Sequence, residues 1–154
     1  PLVQAFNWPS VKHRVTVDWV VTVVDAVAVS EGRFAPVAEA APDPGDPRGM
    51  ALTWVVLMGF MRLSTKRGIL PSPLDVAEVL GIVDEWLAHP RVRVLEPGPL
   101  HAGIFGRLLL SAGTAGNLMT DAHIAAIAIE HQAEVLTFDR DFARFSGLRY
   151  QLLS

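Results

Sequence analysis

The residues of this chain whose types and spacing suit chemistry lie near its C-terminal end. They are Thr120-Asp121-Ala122-His123-Ile124-Ala125-Ala126-Ile127-Ala128 and Leu136-Thr137-Phe138-Asp139-Arg140-Asp141-Phe142. Thr120 is of the type that caps helices, and Asp121 after it falls in a first turn, where the helix dipole favours negative charge. Asp121, Ile124, Ala128 and His131 are spaced to share one helix face, so the carboxylate lies on a stripe of residues expected to be buried. An ionised carboxylate on such a stripe is costly unless something satisfies it, and a cation at the sheet edge would do so. Asp139 follows the apolar strand pattern Val135-Leu136-Thr137, at the strand end where open α/β sheets bind ligands, and Asp141 comes two residues later. Carboxylates brought together in this way repel, so they hold a hard cation or shift their protonation. Local physics leaves a second reading open. Asp121 is equally well a helix-start charge, and Asp139 and Asp141 are equally well turn formers. His123 and His131 read as surface or helix-end residues rather than ligands, Met58 and Met61 as core, and Asn117 as a loop residue.

Composition narrows the chemistry. There is no cysteine, which excludes disulfides and thiolate metal sites. A metal must therefore be held by Asp, Glu or His, which favours Mg or Mn, or else a His-rich zinc site. The net charge of −3 gives no overall basic surface for nucleic acid. The local clusters Lys66 and Arg67, Arg91 and Arg93, and Arg140, Arg144 and Arg149 read by default as solvated faces. The apolar run from Val15 to Val29 is broken by Asp18 and Asp25 and is no membrane span, and it lacks the flanks of a signal peptide. A soluble cytoplasmic protein is the expectation.

These groups need elements to position them. The 154 residues suit one domain, residues 1–154, in which 1–49 are atypical and 50–154 regular. In the first stretch, Val15, Val17, Trp19, Val21 and Val23 alternate as in a strand, while Val20, Val23, Val24 and Val27 would equally suit a helix. Residues 30–49, with Pro36, Pro42, Pro44 and Pro47, read as a long surface loop. From there, Thr53 to Ser64 reads as a helix with Trp54, Leu57, Met58 and Met61 in register. Ser72-Pro73 opens a second helix with the stripe Val76, Val79, Leu80, Val83 and Leu87. Val92 to Leu95 is a short strand, Leu100 to Ser111 and Thr120 to His131 are helices, and Val135 to Thr137 and Leu148 to Leu153 are strands. This order implies an α/β sandwich, with helices on both sides of a mostly parallel sheet.

The stretch Asn117 to His131, followed by Leu136 to Leu148, resembles the C-terminal signature of PIN-domain toxins of the VapC type. Thr53-Trp54-Val55-Val56-Leu57-Met58-Gly59-Phe60-Met61-Arg62-Leu63-Ser64-Thr65 resembles the central helix of the branch abundant in mycobacteria. The resemblance covers the chain from about residue 51 to its end. It implies a PIN-like three-layer sandwich and a Mg- or Mn-dependent endoribonuclease, the toxin of a type II toxin–antitoxin system. A cognate antitoxin would hold it inactive, RNA would be its substrate, and homodimers are common in the family. Asp121 matches the third acidic position of the family and Asp139 the fourth, with Asp141 as auxiliary ligand and Thr137 orienting the cluster. These three aspartates are thus the expected metal-binding and catalytic residues. The family's first acid would stand just before a segment like Leu2-Val3-Gln4-Ala5-Phe6-Asn7, upstream of Pro1, and its second is replaced by Gly59. Residues 17–49 do not resemble the family's second helix. An alternative is therefore a catalytically impaired PIN remnant that only binds an antitoxin or a partner protomer.

Overall fold

The computed structural model describes residues 49–152 and the backbone of residues 19–22. Strand β1 is Trp19–Thr22 and strand β2 is Gly49–Leu52. Helices α1 (Trp54–Thr65) and α2 (Val76–Ala88) lead to β3 (Val92–Val94). Helices α3 (His101–Ala112) and α4 (Met119–Glu130) lead to β4 (Glu134–Thr137) and β5 (Arg149–Leu152). Short 3-10 turns occupy Gly116–Leu118 and Arg140–Arg144. The strands lie in the order β3-β2-β1-β4-β5. Every neighbouring pair is parallel, with Val21 of β1 in register with Ala51 of β2 on one side and Val135 of β4 on the other.

The layers follow from this order. The connection from β2 to β3 moves outward across the sheet, and the connection from β3 to β4 moves back past β1. Right-handed crossovers in opposite directions place their helices on opposite faces. The pair α1–α2 therefore covers one face and α3–α4 the other. Burial agrees: all four residues of β2 are buried, as are Val135, Leu136 and Thr137 of β4, which requires cover on both faces. The expected α/β sandwich is the observed one, and within the Val-rich stretch the described residues take the strand reading. Residues 23–48 lie outside the described part, so the expected loop there is not addressed beyond Gly49, which is the buried first residue of β2 rather than loop. Residues 1–18, with the start of the Val-rich stretch, also lie outside it.

Several local expectations are corrected. Helix α2 begins not at Ser72-Pro73 but after Asp75, whose side chain accepts from the Glu78 N–H at 2.8 Å while the Glu78 carboxylate accepts from the Asp75 N–H at 2.8 Å. That reciprocal box satisfies two helix-end donors, and Ser72 has no Glu or Gln three residues on to do the same. Leu74, ahead of the cap, instead donates its N–H to Ser64 O at 3.0 Å, tying the two helices together. Helix α4 starts at Met119, and Thr120 is not its cap: the capping position is Leu118, which makes no side-chain bond. Helix α1 buries Val56, Leu57, Phe60 and Ser64. Trp54 and Met58, read as in register with the core, are about half exposed at 47% and 54%. Helix α2 buries Val79, Val83 and Trp86, leaving Val76 and Leu80 exposed. Both helices are turned relative to the expected stripes because their mutual contact is aromatic, with the rings of Phe60 and Trp86 centred 4.6 Å apart.

The capping box makes a direct prediction. Asp75→Ala should lower stability by about 1 kcal/mol, a fall in Tm of roughly 2–4 °C, in a thermal melt. Ser72→Ala should leave the melt unchanged; equal effects would return the cap to Ser72.

Candidate metal centre

Because the described strands are all parallel, their C-terminal ends share one edge, and Thr137 at the end of β4 stands there between the ends of β1 and β5. Asp121 reaches the same edge by a different route. Helix α4 and β4 are joined by residues 131–133 alone. His131 N–H bonds Ile127 O at 3.0 Å, Gln132 adopts a left-handed φ of 54°, and Ala133 N–H bonds Ala128 O at 2.8 Å. The C-terminal end of α4 is thus fixed where β4 begins. A 12-residue helix runs back about 18 Å, slightly more than the length of the strand it covers, so its first turn returns to the C-terminal edge. Its sequence lets it lie close to its neighbours: Ala122, Ala125, Ala126 and Ala128 are all fully buried, with Ile124 and Ile127 beside them.

The second half of the site is a built turn. Thr137 is fully buried, and its Oγ1 accepts the Asp139 N–H at 2.9 Å. Asp139 Oδ1 in turn accepts the Asp141 N–H at 2.8 Å and caps the 3-10 turn Arg140–Arg144. Phe142 is fully buried and packs edge-on against Phe145, ring centres 5.9 Å apart, which anchors the turn to the core. Thr137 therefore orients the acidic turn through the backbone of Asp139, and the capping bond leaves the second oxygen of Asp139 available.

Electrostatics link the two halves. The Asp121 carboxyl is pushed up from the ordinary aspartate range to about 6, first by burial and then by repulsion from Asp139 and Asp141. The three expected site residues are therefore close enough to sense one another. Among the described residues no three His, Cys, Asp or Glu side chains gather closely enough to enclose a metal ion. The acids thus face one another across an open edge rather than in a closed cage. The donor set nonetheless fits a hard cation: every donor is a carboxylate oxygen, the groups repel, and the innermost is held partly protonated. At Gly59, a Cβ would meet nothing within 4 Å, so the structure has space there but no carboxylate.

Two supports were invisible in the sequence. Glu130, at the end of α4, accepts the N–H groups of Gly98 at 2.9 Å and Leu100 at 2.8 Å, holding the start of α3. Burial raises the Glu130 pKa, but those N–H groups, with His131 and His101, outweigh it and hold the carboxyl below its usual value. A Cβ at Gly98 would run into that carboxylate, which would have to shift from its place against the Gly98 and Leu100 N–H groups. His123 Nδ1 lies 3.1 Å from His101 Nε2 across the α3–α4 contact, with Phe105 stacked on His101. Burial, and then His101, lower the His123 pKa. His123 is a half-buried packing residue and no surface group, whereas His131, at the helix end as expected, bonds Glu96 O at 2.8 Å. Sequence separations of 22 to 35 residues gave no local signal for these contacts.

Comparison with known proteins agrees with the fold. Residues 48–148 match the family model described as PIN domain. Ribonuclease VapC37 of Mycobacterium tuberculosis is 43% identical over 101 residues, 66% of this chain and 70% of that protein. Ribonuclease VapC33 of the same organism is 43% identical over 101 residues, 66% of this chain and 71% of its own length. Among solved structures, VapBC2 from Rickettsia felis, bound to a DNA fragment from their promoter, superposes with a TM-score of 0.63 at 17% identity. That match covers 88% of this chain and 99% of the other.

The raised Asp121 pKa has a stability consequence. Its folded-state pKa of about 6 exceeds the unfolded value of about 3.9, so the folded state holds the proton more tightly. Its contribution to stability is present below about pH 4 and is lost as pH rises through about 6. In EDTA, Asp121→Asn should therefore stabilise the protein at pH 7 by roughly 1–2 kcal/mol, after allowing for solvent screening, and by almost nothing at pH 4. Urea melts at the two pH values measure this; a destabilised variant at pH 7 would mean that the carboxylate is favourably paired.

Proposed function

The chain belongs to the PIN domain family, among its VapC-type members of mycobacterial kind, and from that premise we propose how its acidic edge works. It is an endoribonuclease, the toxin of a toxin–antitoxin pair, which hydrolyses RNA phosphodiester bonds. Asp121, Asp139 and Asp141 are its metal-holding and catalytic carboxylates. The observation that carries the proposal is that two independent elements bring these three groups to the C-terminal edge of a parallel sheet, close enough for Asp139 and Asp141 to act on Asp121. The cation is Mg or Mn, because the donors are carboxylate oxygens and the chain has no thiolate. When bound, it supplies Lewis acidity toward water and toward a phosphate oxygen.

The protein's own groups do the rest. Thr137 and the Asp139–Asp141 bond fix one side of the edge, so those carboxylates need little reorganisation to meet substrate. Asp121 enters from the facing helix; without a cation its carboxyl is pushed up to about 6, and a bound cation would favour its ionised form, so metal binding and release of its proton go together.

The partners proposed are the RNA substrate, a cognate antitoxin protein and a second copy of the chain. Exposed Trp54 and Met58 on α1, Val76 and Leu80 on α2, and Leu110 on α3 offer apolar surface for protein contacts. We take the chain as one domain acting in the cytoplasm. Among the described residues no helix is long and apolar enough to cross a membrane.

Calorimetry with MnCl2 or MgCl2 tests the site. The wild-type chain should bind near millimolar or tighter and Asp121→Asn should not. RNA cleavage should fall on the order of 10²–10³-fold in the variant. Absence of metal binding in both proteins would reject the catalytic reading and leave a chain that acts by binding partners alone.

A further inference from the structure

An RNA phosphate approaching this edge meets three carboxylates on a chain of net charge −3. A single divalent cation offsets only part of that charge, so attraction for RNA requires basic groups from the protein at the same edge. The structure sorts the basic clusters of the sequence by edge. Helix α1 starts beside the C-terminal end of β2 and runs about 18 Å before Lys66, its C-cap, which places Lys66 and Arg67 far from the acids. Arg91 immediately precedes β3 and Arg149 begins β5, so both stand at the opposite, N-terminal edge. Arg149 is also committed, its Nη2 donating to Gln132 O at 2.7 Å in the α4–β4 link. Arg93 lies in β3, three strands away from β4, a separation of about 14 Å.

Arg140 and Arg144 both belong to the 3-10 turn that Asp139 caps, Arg144 as its last residue. Arg140 is its first residue, between Asp139 and Asp141 in sequence, and so the nearer of the two to the acids. Adjacent Cα atoms are about 3.8 Å apart, so its backbone is as close to the acidic edge as any residue can be. The bonds from Thr137 to Asp139 and from Asp139 to Asp141, and the buried Phe142 ring, hold that backbone still. The side chain itself is exposed and forms no ion pair among the described residues. A fixed backbone with an uncommitted guanidinium beside a nucleolytic site is an arrangement for gripping an oxyanion, which the planar fork does with two hydrogen bonds.

We propose that Arg140 binds the RNA backbone at a phosphate beside the scissile one, holding the strand against the acidic edge. This inference rests on the ribonuclease reading of the three aspartates and adds to it the residue that carries substrate affinity. Arg140 contributes charge and direction, not sequence choice, because a phosphate contact is the same for every base.

The test is fluorescence anisotropy with a labelled single-stranded oligoribonucleotide, with Ca2+ in place of Mg2+ to suppress cleavage. The wild type is compared with Arg140→Ala, Arg140→Lys and Lys66→Ala, and Mn2+ affinity is measured on the same samples. Arg140→Ala should bind RNA about tenfold more weakly, with the slope of log K against log salt reduced by about 0.7, and should keep its Mn2+ affinity. Arg140→Lys should recover the slope but only part of the affinity, and Lys66→Ala should match the wild type. Unchanged RNA binding by Arg140→Ala overturns the assignment. So does an equal loss in Lys66→Ala, which would mean diffuse attraction, or a loss of Mn2+ binding in Arg140→Ala, which would mean a disturbed turn. If the wild type binds Mn2+ but no RNA, the ribonuclease reading falls and takes this assignment with it.

Discussion

The crowding of Asp121, Asp139 and Asp141 at one partly buried edge is the constraint around which the second half of this chain is organised. Burial of Asp121, and then repulsion from Asp139 and Asp141, disfavour its ionised form and push its carboxyl up to about 6. The groups stay together because each sits on an element that cannot easily retreat. Asp121 is fixed by a helix of closely packed alanines and isoleucines, and Asp139 by a buried threonine and a capped turn. On the proposed reading, such an arrangement would be destabilising without a ligand and favourable with a cation, the usual relation between strain and function at a binding site.

The remainder of the fold makes that juxtaposition possible. Parallel pairing throughout the sheet collects the strand ends on one edge, and the short link between α4 and β4 sets how far the helix returns. Glu130 and His131 lock the far end of α4 to the segment that starts α3, so the helix cannot slide along its axis without breaking three hydrogen bonds. The imidazoles of His101 and His123 fill the contact between the same two helices one to two turns further along. Positioning of Asp121 thus depends on contacts well away from it.

Much of this was legible in the sequence because the strongest signals there are local. The order of elements from residue 49 onward and the parallel sheet follow from apolar periodicity and the family resemblance, and strand-end position was enough to single out the acidic residues as candidates. Helix faces were less legible. Trp54, Met58, Val76 and Leu80 fit an apolar stripe by spacing, yet they lie outside because the Phe60–Trp86 contact sets the rotation of α1 and α2. Capping was misread where a residue type alone was used: Ser72 and Thr120 suit the role, but the reciprocal bonds of Asp75 and Glu78 decide the first case, and the preceding 3-10 turn the second. The Glu130 and His101–His123 contacts join residues far apart in sequence and leave no periodic trace.

The most direct measurement is carbon-detected NMR of the aspartate carboxyls through a pH titration, with and without Mg2+. Without the cation, Asp121 should titrate near 6, and Asp121→Asn should remove that signal. With saturating Mg2+, the midpoint should fall by well over one pH unit, because the cation favours the ionised form. An Asp121 midpoint in the ordinary aspartate range, unmoved by Mg2+, would contradict the account.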